Sequence, residues 1–551
     1  MIRNNIYLLG LIFFIFFAFS CQPKQKVEEQ KTPDSVMQRK LANYAKVKLS
    51  ADLSALSPNQ IKLFSHLIKA ANAIDEVYWL QAYGNKEELL NAISDPDMRE
   101  YAMINYGPWD RLDGFTPFTE DFPPRPLGIG FFPKDLNQEE FFKLNDDSKY
   151  NAFTTVQRES NGNLQVIPFK IAYQTELNKA ATHLNNAAQL AESESFKTYL
   201  QQRAKDLLVD NFHESDHLWM NLTDNVLDFI AGPIVNTEDH MIWTKYSYGA
   251  FILLKNDEWT ARTEKYASLL PFLQKNLPVA DKFKSDTDLK SANIVIYDVL
   301  YNSGYCNAGN KLIGLNLPIG NDQIKCGSRK LHFKNVMQAK FDQILNPISE
   351  LVIDEKQRKN VNFDSFFLNT IFYEISNGLG VSSTVDENAK IKNALKEHTN
   401  VMNELKNDVL RMYLLNQVHE MRQLEGIAMI ENYVTYMADV FRSIRFGVTD
   451  AQGVANMIRF YYFQEQEAFK YNSKTGTYKI NDYKMKKAIE SLAKLVLEIQ
   501  GNGDYAAADQ LIKDKGYIRN ELLQDLYRIQ RAKIPKDLIY DQGEKSIIAS
   551  N

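Results

Sequence analysis

From about residue 335 to the C-terminus, apolar residues recur every three to four positions. The stretches 335–353, 363–377, 388–420, 427–445, 452–470 and 483–500 each carry this 3.6-residue period, which predicts helices with one buried stripe. The first half is mixed. Residues 41–100 read as helices: Leu56-Ser57-Pro58 makes a cap-like start, and Leu63, Leu67, Ala70 and Ala71 follow at helical spacing. Residues 174–209 read as one long amphipathic helix. Between these, residues 104–170 are loop and short-strand material, with Pro117, Pro123, Pro124, Pro126 and the run Gly128-Ile129-Gly130-Phe131-Phe132. Residues 225–334 mix turns with short apolar strands such as Ala292 to Tyr297. The expected fold is α+β with two lobes and a cleft. Residues 41–334 form a mixed lobe of helices and a small sheet or barrel, and residues 335–545 form an all-helical lobe. No internal repeat is visible.

The N-terminus follows a different logic. Arg3 precedes an apolar stretch from Ile6 to Phe19, closed by Ser20-Cys21. That stretch is short for a membrane span and suits a signal peptide over residues 1–20. A small residue before a cysteine resembles a bacterial lipobox, so Cys21 is expected to carry a lipid; the alternative is an ordinary signal peptide with an incidental cysteine. Residues 21–40, rich in Gln, Lys, Glu, Pro and Thr, read as a polar tether. The expected location is the cell envelope, lipid-anchored in the periplasm or at the outer-membrane surface, with the anchor as the only membrane contact. Export would allow Cys306 and Cys326 to oxidise; a disulfide and two free thiols stand as equal readings. The net charge of -5 over 551 residues, with no Lys/Arg run, gives no case for nucleic acid.

The chemistry concentrates at Ile371-Phe372-Tyr373-Glu374-Ile375-Ser376-Asn377-Gly378-Leu379-Gly380. In an HExxH helix two histidines at i and i+4 converge on one zinc ion, and the glutamate beside them serves as base. Here Tyr373 and Asn377 stand where the histidines would be, and Glu374 remains. A third ligand comes from another helix, and Glu404 in Asn403-Glu404-Leu405-Lys406-Asn407-Asp408 is the candidate. Read without any motif in mind, Tyr373 and Asn377 are a core tyrosine and a polar helix-end residue.

Further stretches give that reading a family. They are Asn105-Tyr106-Gly107-Pro108-Trp109-Asp110-Arg111-Leu112, Glu214-Ser215-Asp216 with Trp219, Gly314-Leu315-Asn316-Leu317-Pro318, Lys334-Asn335-Val336-Met337 and Phe441-Arg442-Ser443-Ile444-Arg445-Phe446-Gly447. In this order, from about residue 40 to 540, the chain resembles the dipeptidyl peptidase III family of zinc peptidases. It is most similar to the bacterial and plant branch, whose zinc helix reads HELSHGLG. The resemblance implies that Tyr373 and Asn377 occupy the two histidine-ligand positions, Glu374 the general-base position and Glu404 the third-ligand position. Gln452 falls where a further active-site histidine is expected. Asp228 and Asn316 resemble residues that hold the substrate's free N-terminus.

An amide is a weak zinc ligand, and a phenol must lose a proton with a pKa near 10 before it binds well. The expectation is therefore a pseudo-peptidase without a metal cofactor that binds short peptides. Two alternatives stand beside it: an active dipeptidyl peptidase holding zinc in an unorthodox site, and a structural or partner-binding lipoprotein. The literal motif His213-Glu214-Ser215-Asp216-His217, with Glu238 after it, is a decoy on this reading: Asp210 and Asn211 interrupt the apolar face that buries a zinc helix. Its expected form is a polar helix end or loop with two exposed histidines. The histidine-scattered remainder of the chain suggests no other cluster. The oligomeric state is not written in the sequence.

Overall fold

The computed structural model describes residues 35–49, 51–54, 56–284, 293–318, 327–386 and 389–543. The signal peptide, Cys21, most of the tether and Cys326 lie outside them.

Helix α1 (Pro58–Ala82) begins where the sequence signals it. Ser57 Oγ accepts the Gln60 N–H at 3.1 Å, Gln60 Oε1 accepts the Ser57 N–H at 2.9 Å, and Pro58 fills the first turn, where no donor is needed. Its stripe of Leu63, Phe64, Leu67, Ala70, Ala71 and Ile74 is buried. The amphipathic run expected over 174–209 is two helices, α2 (Gln174–Leu190) and α3 (Glu194–Leu207). The break comes at Ser193, whose hydroxyl accepts the Phe196 N–H and starts a new helix. A short helix, α4 (His213–Met220), follows.

A five-stranded sheet lies under these helices: β1 (Leu227–Val235), β2 (Ser247–Lys255), β3 (Ile294–Gly304), β4 (Gly314–Leu317) and β5 (Arg329–Phe333), in the order β1-β2-β3-β5-β4. β3 and β5 are parallel and the other neighbours antiparallel. β1 and β2 are buried on both faces over nearly their full length, which explains their unbroken apolar runs. β4 is an edge strand.

The second lobe is built from α5 (Phe363–Ser376), α6 (Thr399–Glu420), α7 (Met429–Ile444), α8 (Ala451–Glu465), α9 (Asp482–Asn502) and α10 (Asn520–Arg531). The helix expected over 335–353 runs from Lys334 to Val352 with a π turn at Phe341–Leu345. Pro347 lacks the N–H that an α turn would use there, and the wider turn accommodates it. The stretch 388–420 is interrupted at Lys396, which adopts φ 50°, and the long helix starts only at Thr399. The lobe also carries a hairpin, Phe469–Asn472 with Thr477–Ile480. Its last strand, Asp537–Tyr540, pairs in parallel with Tyr44–Val47 and joins the two ends of the chain.

Two large apolar cores correspond to the two lobes. The helical core recruits Trp259, Tyr266 and Leu270 from the connection between β2 and β3, and Ile296 from β3 itself, so the lobes are packed together rather than strung on a linker. No described helix is long and apolar enough to cross a membrane.

Candidate functional site

Helix α5 is fixed by its apolar side. Asn362 caps it by accepting the Ser365 N–H at 2.8 Å, and Phe366, Phe367, Ile371, Phe372 and Ile375 are buried. Tyr373, Glu374 and Asn377 are left on the remaining surface, the first two half-buried. Helix α6 lies against α5, and its Glu404 faces Tyr373. The Tyr373 hydroxyl donates to Glu404 Oε2 at 2.5 Å. One turn on, Asn407 Nδ2 donates to Asn377 Oδ1 at 2.5 Å. Ser376 Oγ sits between the two pairs, within hydrogen-bond reach of the Tyr373 and Asn407 carbonyls at 2.7 and 3.1 Å. The three expected ligand positions are thus together in space, and each is already engaged by a neighbour.

Behind them is a charged layer. Asp408 is 1% exposed and forms ion pairs with Arg459 at 3.1 Å and Arg411 at 3.2 Å. Arg411 also reaches Asp439, which Arg442 holds at 2.7 Å. Gln452, from the first turn of α8, donates to Asp408 Oδ2 at 2.6 Å. Sequence reasoning brought Gln452 to this site but missed its partner. The signal was available: Asn407 and Asp408 lie three and four residues after Glu404, on the same helical face. Lys330 offered no such signal. It projects from β5 to Glu374 Oε2 at 2.8 Å, and only the fold brings residues so distant in sequence together. The base-position carboxylate is therefore neutralised from the other lobe.

The protonation preferences agree with this geometry. Burial raises the Tyr373 phenol well above the usual tyrosine range, and its hydrogen bond to Glu404 raises it further. Burial also raises the Glu404 carboxyl, against the pull of the Tyr373 hydroxyl. Beneath α5, Lys406 points its ammonium at the Leu379 carbonyl, 3.0 Å away, and burial lowers it to about 8. Zinc takes deprotonated nitrogen, sulfur or carboxylate donors. Here one position holds a phenol that keeps its proton, one holds an amide oxygen already bound, and the third accepts the phenol's hydrogen bond. These residues do not fit a zinc ion.

The other expected residues are dispersed. Asp228 on β1 is fully buried, and its oxygens accept from Trp219 Nε1 at 3.1 Å and Tyr297 OH at 2.8 Å, with Arg329 at 3.8 Å. It organises the core beneath α4 and is closed to a peptide. Asn316 is exposed on the edge strand β4, directly across from Lys330 in the ladder. Opposed residues share a sheet face, so Asn316 lies on the Lys330–Glu374 side. His213 and His217 share one face of α4. His217 is exposed, with Asn221 Nδ2 at 3.4 Å. Glu238 is buried elsewhere between Arg111 at 2.6 Å and Arg125 at 3.0 Å. No described group of three His, Cys, Asp or Glu side chains has metal-ligand geometry. His66 and His183, 117 positions apart, face each other with ring centroids at 5.8 Å. Cys306 is buried; Cys326, with which a disulfide or two free thiols stand as equal readings, lies outside the described residues.

No family model matches the chain. DPP III from Caldithrix abyssi superposes with a TM-score of 0.86 at 33% identity, over 91% of this chain and 98% of that one. The chain belongs to the dipeptidyl peptidase III family. Dipeptidyl-peptidase III from Corallococcus sp. strain EGB superposes with a TM-score of 0.74 at 28% identity, over 92% and 96% of the two chains. A curated relative, Nudix hydrolase 3 of Arabidopsis thaliana, is 31% identical over 91% of this chain and 73% of its own length. The dipeptidyl peptidase III fold accounts for the α+β architecture.

Proposed function

We propose that this protein is an exported, lipid-anchored member of the dipeptidyl peptidase III family that binds short peptides and does not cleave them. One observation carries the reading: Tyr373 donates a hydrogen bond to Glu404 and Asn377 accepts one from Asn407, so the ligand positions are engaged by their neighbours instead of a metal. Without an ion there is no activated water, and Glu374, tied to Lys330, has no proton to remove. The peptidase fold, the exposed edge strand carrying Asn316 and the adjacent Lys330–Glu374 pair support a surface that holds an extended chain. The Ser20-Cys21 pair supports lipidation.

Zinc content and peptide hydrolysis test the proposal together. On protein beginning at Gln22 and purified without a histidine tag, elemental mass spectrometry is expected to find far less than one zinc per chain, even after zinc is supplied. Dipeptidyl arylamides are expected to stay intact, while short peptides give saturable heat in calorimetry. One equivalent of zinc with hydrolysis would establish the active-enzyme alternative. No zinc and no peptide heat would leave the structural role. Mass spectrometry of the membrane fraction, with Cys21 as the acylated N-terminus, tests the anchor separately.

A further inference from the structure

Away from α5, a cavity of about 340 Å³ opens between α10, the segment after it and the helix Val36–Leu41. Leu523, Leu526 and Ile534 supply apolar wall. Its charged lining is Arg39, Arg445, Lys533 and Lys536, and no described carboxylate lines it. None of these four cations forms an ion pair of 4.0 Å or less among the described residues.

Arg445 is the one of the four that is half-buried, the others being exposed. One guanidinium nitrogen donates to the Lys536 carbonyl at 3.0 Å, and its Nε is buried with no partner. The acid next along the chain from Lys536, Asp537, is paired with Lys340 at 3.2 Å. Burial lowers the Arg445 guanidinium to about 10, and Arg442 behind it adds to the effect. The carboxylate that reaches it electrostatically, Asp537, is already paired with Lys340, so the half-buried guanidinium is incompletely offset, and the cavity beside it offers room for a second acid. The cavity falls at the small end of ligand pockets, roughly 300–1,000 Å³. A wall of Leu and Ile beside a guanidinium fork matches an apolar chain that ends in a carboxylate, because the planar fork donates N–H groups to two carboxylate oxygens side by side.

We propose that this cavity binds a long-chain carboxylate, its head on the Arg445 guanidinium and its chain along Leu523, Leu526 and Ile534. The three remaining cations, Arg39, Lys533 and Lys536, line the same cavity at exposed positions and select for negative charge. The proposal is independent of the peptide-binding reading, since it uses neither α5 nor the sheet.

Isothermal titration calorimetry with sodium decanoate below its micelle concentration tests it, on the chain from Gln22, which retains every core side chain from Met37 to Leu538. One saturable site is expected, with 1-decanol binding about ten-fold more weakly or worse, the loss of a charge-assisted contact. Arg445→Gln is expected to weaken decanoate by about ten-fold or more. Lys533→Gln, at an exposed position that cannot disturb the fold, is expected to weaken it by about two- to five-fold, as for a partly screened charge. Equal affinity for decanol and decanoate would overturn the proposal, as would unchanged decanoate binding in both variants or the absence of saturable heat. Binding to anionic vesicles without any binding of decanoate would also overturn it, as a surface-charge effect.

Discussion

Two helices in this protein present the zinc-peptidase question from opposite sides. Helix α4 has the right letters, with histidines at i and i+4 and a glutamate between them. Helix α5 has the right surroundings and the wrong letters. α4 is eight residues long and His217 is exposed on it, while Glu238, which follows it in sequence, is buried 2.6 Å from Arg111. α5 is seated on an apolar core with a carboxylate from α6 facing its first ligand position. A metal motif is thus a requirement on three elements at once. The spacing of two residues is the least specific part of it, and the buried seat and the third ligand are what a pattern search does not see.

The comparison can be sharpened most by giving α5 back its letters. Tyr373→His with Asn377→His places two imidazoles on the face opposite Glu404, restoring two nitrogen donors and one carboxylate. Elemental mass spectrometry should then rise from about zero to about one zinc per chain, the full set of three protein ligands that a catalytic site uses. If the double variant folds with an unchanged circular dichroism spectrum and still holds no zinc, the seat itself has drifted. The equivalence of α5 with a zinc helix would then fail.

The architecture of this region was legible in the sequence because it rests on periodicity. The phenylalanine-rich stripe of α5, the long α6 and the Ser57 cap are local statements, and each appears where the pattern puts it. The splits at Ser193 and Lys396 were not, because one residue's local hydrogen bond or left-handed backbone overrides a stripe that runs through it. The engagements that define the site were only half legible. Tyr373 and Glu404 could be named as positions, while Asn407 and Asp408, within reach of helical spacing, were missed. Lys330 on Glu374 required the sheet order β3-β5-β4, in which a strand late in sequence is inserted beside an earlier one. Asp228 illustrates the limit of resemblance: its matched position is a core anchor, buried under Trp219.

The layer beneath α5 should be costly to break. Asp408→Ala leaves Arg459 and Arg411 buried without their shared carboxylate and removes the Gln452 contact. Urea denaturation should show a loss of about 3–5 kcal/mol, the range for a buried pair stripped of one partner. A loss below about 1 kcal/mol would mean that the charges are solvated and that α5 does not depend on them.

A pH effect comes next in size. His332 on β5 is buried, and burial lowers its imidazole to about 4, against the pull of Glu374. In the unfolded chain it takes a proton near pH 6.5, while in the folded chain it refuses one until about pH 4. Its contribution is constant above pH 6.5 and declines as the pH falls toward 4, by about 3 kcal/mol. Comparing urea midpoints of the protein and of His332→Gln at pH 7.5 and 4.5 isolates it. Parallel losses in both would show that His332 is accessible in the folded state and that the strand holding Lys330 against Glu374 is loose.

The smallest expected effect belongs to α4. His213→Ala with His217→Ala removes both histidines of the literal motif, yet His217 stands in solvent beside Asn221, Asp216 on the same helix is held by Arg203, and Glu238 is buried elsewhere between Arg111 and Arg125. A surface substitution such as His217→Ala stays within about ±0.5 kcal/mol, and His213 is half-buried at the start of the helix, so the urea midpoint should move little. Zinc content should be unchanged both in the natural sequence and in the Tyr373→His, Asn377→His background. A loss of bound zinc on removing the α4 histidines would reverse the comparison. The metal would then have moved to the exposed helix, α5 would be left as packing, and the Tyr373–Glu404 pair would be what remained after a site had migrated rather than disappeared.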